Sequence, residues 1–182
     1  MLTKLELLVE YNYTEKLSYQ ISSLMHGILM EVVDWEYGEV LHQNGRKPFQ
    51  QYISKMTDHS FVWTICTLND KAREQIIDRL AQKQSFYMKH KNLQLQVKEK
   101  HIVETTYERL IEKYYFTEQE RNIKIRFLTP TAFKSQGKYV FIPTPKFIFQ
   151  SLMNKYDAFS NETKVSDKET LEHFEQNIFI KK

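Results

Sequence analysis

Leu93-Gln-Leu-Gln-Val97 alternates aliphatic and amide side chains residue by residue. That period of two sets the three aliphatics on one face of a strand half-buried against a core. What lies on the N-terminal side of this strand decides the fold. Asn69 is placed to cap a helix in which Ile76, Ile77 and Leu80 make one apolar stripe. Before it, Phe49 to Met56 and Phe61 to Leu68 predict a hairpin across the turn Thr57-Asp58-His59-Ser60. Earlier still, Thr14 precedes Leu17, Ile21, Leu24, Ile28 and Val32, which recur at helical spacing. Leu5, Leu7 and Val9 alternate with polar neighbours as a first strand. The order is β-α-β-β-α-β, the ferredoxin-like pattern of the α+β class. It predicts an antiparallel four-stranded sheet with both helices on one face, its last strand running on toward Thr105.

Outward from this frame, a short helix over Trp35 to Leu41 leads into the loop His42-Gln-Asn-Gly-Arg-Lys-Pro48. Tyr107 to Gln119 reads as a connector. Beyond it Ile123, Ile125 and Phe127 alternate with Lys124 and Arg126 as a strand ending at Thr129-Pro130, and Gln136-Gly137 marks a hairpin. Thr144 can cap a helix with Pro145 at its first position, where a missing N–H costs little, and Ile148, Leu152 and Tyr156 face one way. Ser166 and Glu169 form a capping box before a helix with Leu171 and Phe174, and Asn177 to Lys182 begins another strand. Strand, helix and strand make half a ferredoxin-like unit. The expected organisation is a domain over residues 1–118 and an incomplete second ferredoxin-like domain over 119–182.

The composition narrows the class. A hydrophobic fraction of 41% with 14% aromatics is that of a globular chain. No apolar run reaches the roughly 20 residues of a membrane helix, and the N-terminus lacks a signal-peptide pattern. The single cysteine, Cys66, leaves no disulfide framework and points to a reducing cytoplasm. Neither a P-loop nor G-x-G-x-x-G is present, and no H-E-x-x-H, H-x₃-H or C-x₂-C pattern suggests a metal. Neither metal nor other cofactor is therefore expected.

A formal net charge of +3 says little, but its distribution says more. No acidic residue occurs from Arg121 to Tyr156, a stretch holding Arg121, Lys124, Arg126, Lys134, Lys138, Lys146 and Lys155. Val40 to Thr57 is likewise acid-free and carries His42, Arg46, Lys47 and Lys55. Such stretches suit a solvated basic face or the positive footprint of a nucleic-acid site. In the first helix His26 falls off the apolar stripe, nearly opposite Leu17, which argues against a core histidine. His42 lies five residues before Lys47, so one loop offers an imidazole that titrates near neutrality and cations that neutralise phosphate. A second histidine on a neighbouring helix completes what RNA transesterification needs, although H-x₄-K spacing alone has low specificity. His59, His90, His101 and His173 are assigned no role.

Four runs occur together and in order: Ser23-Leu-Met-His-Gly-Ile-Leu-Met30, Leu41-His-Gln-Asn-Gly-Arg-Lys-Pro-Phe49, Phe127-Leu-Thr-Pro-Thr-Ala-Phe-Lys134 and Lys146-Phe-Ile-Phe-Gln-Ser-Leu152. With them the chain resembles the CRISPR-associated repeat-RNA endoribonucleases of the RAMP superfamily, most of all members from Gram-positive bacteria with type III systems. The resemblance implies tandem ferredoxin-like domains and metal-independent cleavage of precursor CRISPR RNA, by attack of a ribose 2′-OH on the adjacent phosphate. It puts His42 at the general acid/base position, as acid or as base, and Lys47 near the phosphate-stabilising lysine. Met30 stands at a helix site often held by tyrosine, and His26, one turn earlier, is the candidate partner. Arg46, Lys124, Arg126, Lys134 and Lys138 are the candidate RNA-binding residues. Precursor CRISPR RNA, proteins of a CRISPR effector complex and a second copy of the chain are the partners implied. The family's further strand, helix and glycine-rich RNA-contacting loop have no counterpart, so the chain is expected to represent about the first three-quarters of such a protein. A non-cleaving RNA-binding or assembly module is the alternative.

Overall fold

β1 (Leu2–Tyr11) runs between two antiparallel neighbours, β3 (Ser60–Thr67) and β5 (Leu93–Thr105). This is a computed structural model that describes residues 1–12, 17–43, 45–118, 122–127, 131–161 and 164–180. Thr14, Asn44, Arg121 and Thr129-Pro130, which figure in the sequence reading, lie outside the described residues, as do Lys181 and Lys182. The chain divides into two compact units, Met1–Leu110 and Ile111–Lys182.

In the first unit β2 (Phe49–Ser54) pairs with β3 and β4 (Ser85–Met88) pairs with β5, giving the order β2-β3-β1-β5-β4. All pairings are antiparallel, and the ferredoxin-like core order is present. The sheet has five strands rather than the four expected, because Ser85–Met88 adds an outer strand against Leu93–Gln96. The register between β1 and β5 shifts between Leu8 and Val9, so no residue of β1 stands opposite Lys98 in the ladder, as in a β-bulge.

Alternation fixes the two faces of the sheet. Leu5, Leu7 and Val9 are fully buried together with Phe61, Trp63 and Ile65 of β3 and Leu95 of β5. Each such side chain contributes about 1.5–3 kcal/mol on leaving water. The helices supply the other half of this core. A 3₁₀ turn at Tyr19–Ile21 opens α1 (Ser22–Val32), whose Met25, Ile28 and Leu29 are buried. The apolar stripe is thus centred on Met25 and Leu29, with Leu24 and Val32 at its partly buried margin. α3 (Asp70–Ala72) and α4 (Arg79–Gln82) are joined through a π turn at Arg73–Asp78. Asn69 caps α3, its side-chain oxygen accepting the Ala72 N–H at 2.9 Å. The wider π turn brings Gln75, Ile76 and Ile77 to the inside in succession. Past the bulge β5 loses its cover, and Ile102 and Val103 are exposed.

α5 (Tyr107–Tyr114) spans the division between the units. In the second unit β6 (Phe133–Ser135) and β7 (Lys138–Val140) form a hairpin. Its turn has positive φ at both Gln136 (49°) and Gly137 (78°), the type I′ geometry that suits a two-residue loop. Thr144 caps α6 (Pro145–Phe159) by accepting the Phe147 N–H, with Pro145 at the first position. α7 (Lys168–Asn177) is capped by Asp167 rather than by Ser166. The Ser166 N–H instead donates to the Asp157 carboxylate at 3.0 Å, which also accepts the Val165 N–H at 2.8 Å. These bonds hold Asp157 below the usual carboxylate range. Phe149 and Phe174 join α6 to α7, and Phe133 stacks on Phe147. Met153, not Leu152, is the buried residue of α6. Residues 122–127 are not a strand, and Ile123, Ile125 and Phe127 are exposed. Their alternation is real, but among the described residues no strand pairs with them. Nor do residues 178–180 form a strand.

Candidate active site

α1 is fastened at its first turn from below. On β2, Phe49, Gln51 and Ile53 lie opposite Thr67, Ile65 and Trp63 and so share the helix-facing side of the sheet. Gln51 accepts the Trp63 indole N–H at 2.7 Å and donates to the Ser22 carbonyl at 3.0 Å. One amide thereby ties the start of α1 to two strands. One turn further along α1, His26 stacks on Phe49, with ring centres 5.9 Å apart and planes 11° from parallel. His26 is off the core stripe, as its spacing predicts, but it is no isolated surface side chain: one face of its ring lies on a buried phenyl group.

α2 (Trp35–His42) buries Tyr37, Gly38 and Leu41, which turns His42 outward beside Leu41. Asp34 precedes α2 and pairs with Arg79 of α4 at 2.5 Å, fixing the corner between α1 and α2. His42 is the last residue of α2 rather than the first of the loop. The reason lies in Lys47. Its ammonium donates to the carbonyl of Leu41, and to that of Gln43 at 2.9 Å. The final carbonyls of a helix have no intrahelical partner and carry partial negative charge, so a lysine folded back on them closes the helix. Arg46, beside it, is exposed.

The first unit therefore brings His26, His42 and Lys47 within electrostatic reach of one another. Burial, the charge of His42 and the charge of Lys47, in that order, lower the pKa of His26 from its ordinary 6.5. An imidazole so placed is neutral near pH 7 and can accept a proton, and neighbouring groups able to carry charge could face a phosphate. Among the described residues no three His, Cys, Asp or Glu side chains gather in a group that could hold a metal ion.

The remaining candidates belong to the second unit. Lys124 and Arg126 are exposed in the segment without regular structure. Lys134 lies opposite Tyr139 and Lys138 opposite Ser135, so the hairpin turns these two lysines to opposite faces. They do not form one basic patch on the hairpin. Phe49 and Gln51, which contact His26 and the start of α1, are not among the site residues the sequence singles out. The available signal was a glutamine at a core-facing position of a strand, between Phe49 and Ile53.

The sheet order and its helices place the chain among the α+β proteins of ferredoxin-like fold. Two solved structures carry that likeness. Cas6 (TTHB231) as a product complex has a TM-score of 0.66 at 21% identity, covering 97% of this chain and 73% of that one. Cas6 (TTHA0078) as a product complex has a TM-score of 0.62 at 19% identity, covering 91% and 66%. The family model described as CRISPR-associated endoribonuclease Cas6 matches residues 125–179. The CRISPR-associated endoribonuclease Cas6 of Mycobacterium tuberculosis, in each of two strains, is 35% identical over 136 residues, 74% of this chain and 43% of the relative. That of Streptococcus thermophilus is 30% identical over 155 residues, 85% of this chain and 63% of the relative. The family model, the curated relatives and the solved structures all support a CRISPR-associated endoribonuclease Cas6. The chain spans less than half the length of the mycobacterial relatives and under two thirds of the streptococcal one. No helix among the described residues is long and apolar enough to cross a membrane.

Proposed function

We propose that the first unit carries the catalytic groups of an endoribonuclease that cleaves the repeat of precursor CRISPR RNA in the cytoplasm. The 2′-OH attacks the adjacent phosphate, without a metal, leaving a cyclic phosphate and a 5′-hydroxyl. The observation that carries this reading is the convergence of His26, His42 and Lys47, with the His26 pKa lowered by burial, His42 and Lys47. Neutral His26 takes the proton from the 2′-OH, and His42 supplies one to the departing 5′-oxygen. Lys47 stabilises the charge that grows on the phosphate in the transition state. The second unit, as the start of a second ferredoxin-like domain, holds the RNA through Lys124 and Arg126 together with Lys134 or Lys138, which the hairpin sets on opposite faces, and Arg46 adds a contact beside the site.

The test is cleavage of a repeat RNA in the presence of EDTA. His42→Ala should lower the rate by about 10² to 10⁴, the usual worth of positioned proton transfer, with RNA affinity kept. A 2′-deoxy nucleotide at the scissile position should abolish cleavage, since the nucleophile is gone. A parent rate in His42→Ala refutes the site, and a requirement for magnesium refutes the mechanism. One observation favours the non-cleaving alternative: the Lys47 ammonium is engaged with helix carbonyls. RNA binding without cleavage by the parent chain would establish that reading.

A further inference from the structure

We infer that Phe49 and Gln51 of β2 are positioning residues that set the orientation of the His26 imidazole. The inference rests on the role of His26 proposed above and adds the element that holds it. A histidine on a solvent-facing part of a helix ordinarily samples several rotamers, whereas a proton acceptor must meet its donor at a defined angle. Here two restraints act from one strand. The near-parallel Phe49 ring, 5.9 Å away, leaves the imidazole one flat surface on which to rest. Phe49 is itself fixed, being 8% exposed and in register with Thr67. Gln51, two residues on and facing the same side, holds the carbonyl of Ser22, four residues before His26. Ser22 and His26 are thus one helical turn apart, so a bond to the first sets the height and rotation of α1 at the second. The Trp63 N–H locks the Gln51 amide with its oxygen toward β3 and its NH₂ toward α1. The helix is registered by Gln51 and the ring by Phe49.

Neither side chain can transfer a proton here, so an effect on the rate passes either through His26 or through the packing of α1 on the sheet. That makes a double-mutant cycle the decisive experiment, run on the full chain with saturating repeat RNA. Phe49→Leu keeps apolar bulk but removes the flat ring, and Phe49→Tyr restores it. The single-turnover rate should fall roughly ten-fold in Phe49→Leu, since small misplacements at a reacting centre cost one to two orders of magnitude. It should recover in Phe49→Tyr, and Phe49→Leu should add no loss in a His26→Ala background. An NMR titration gives a readout independent of cleavage. The His26 pKa should rise toward 6.5 in Phe49→Leu and stay in Phe49→Tyr. Gln51→Leu should lower the rate in the parent and not in His26→Ala. Equal losses from Phe49→Leu with and without His26, or an unchanged rate and titration in Phe49→Leu, overturn the inference. If His26→Ala itself cleaves at the parent rate, the role assigned to His26 fails first, which separates the two failures.

Discussion

Replacing Lys47 by methionine keeps an unbranched stem of similar length and removes the ammonium that closes α2. In the structure that ammonium donates to the Leu41 carbonyl in a partly buried position and to the Gln43 carbonyl at 2.9 Å in an exposed one. A hydrogen bond to a charged group is worth about 1.5–3 kcal/mol when well shielded. A cation at a helix C-terminus adds roughly 0.3–1 kcal/mol, and solvent screens both. Lys47→Met should therefore destabilise the first unit by about 1–2 kcal/mol without RNA present. Urea unfolding followed by tryptophan fluorescence reads this unit alone, because both tryptophans, Trp35 and buried Trp63, lie within it. With a slope of about 2 kcal/mol per molar, the midpoint should drop by roughly 0.5–1 M at unchanged slope. Lys47→Arg, which retains charge and donors, should lose less. The His26 pKa should also move up in Lys47→Met, since the Lys47 charge is one of the causes holding it down. An unfolding midpoint equal to that of the parent would refute the capping role.

The first unit should lose stability as pH falls below about 6.5. The native pKa of His26 lies below its unfolded value of 6.5, so the unfolded chain binds more protons between the two. Stability is then full above 6.5 and declines on acidification, and urea midpoints across about pH 5–7.5 in the parent and His26→Gln should show the decline lessened in the variant. Leu7→Ala, at a fully buried position, should cost roughly 2–5 kcal/mol, whereas Ile102→Ala, on the uncovered part of β5 at 44% exposure, should stay within about 0.5 kcal/mol; the same urea assay ranks them. Alanine at both Lys124 and Arg126 should weaken binding of all RNAs and flatten the salt dependence by about 0.7 for each phosphate left without its cation, as measured by titration at several salt concentrations.

The first unit was legible because its signals are local and repeat. Leu5, Leu7 and Val9 or Leu93, Leu95 and Val97 declare a buried face by alternation alone, and Asn69 announces the helix after β3. β4 escaped because four residues, Ser85–Met88, carry too short a pattern, and its pairing with β5 is a property of the folded sheet. The second unit inverted the problem. Ile123, Ile125 and Phe127 alternate as well as β1 does, yet a strand exists only where a neighbour accepts its hydrogen bonds. Likewise Asp167 rather than Ser166 caps α7, and the Ser166 N–H that a capping box would give to Glu169 goes to the Asp157 carboxylate, an interaction nine residues distant that no capping rule contains.

The sequence names the candidate residues, and the structure adds what His26 and Lys47 touch. That His26 lies off the core stripe follows from about 100° per residue; that it rests on Phe49 depends on where β2 passes under α1. The H-x₄-K spacing of His42 and Lys47 reads as two independent groups on one loop, whereas the fold makes the lysine the closure of the helix from which the histidine projects. A cation in that position acts on the end of α2 and on the protonation of His26, and under the proposed function also on the charge of a bound phosphate. A rate loss in Lys47→Met would therefore combine a structural and an electrostatic contribution. Unfolding without RNA measures the first alone. The rate lost by Lys47→Met beyond that lost by Lys47→Arg, once both are matched in stability by temperature, measures the second. If the two variants cleave alike under those conditions, the lysine acts as a helix closure, and transition-state charge must be met by another group.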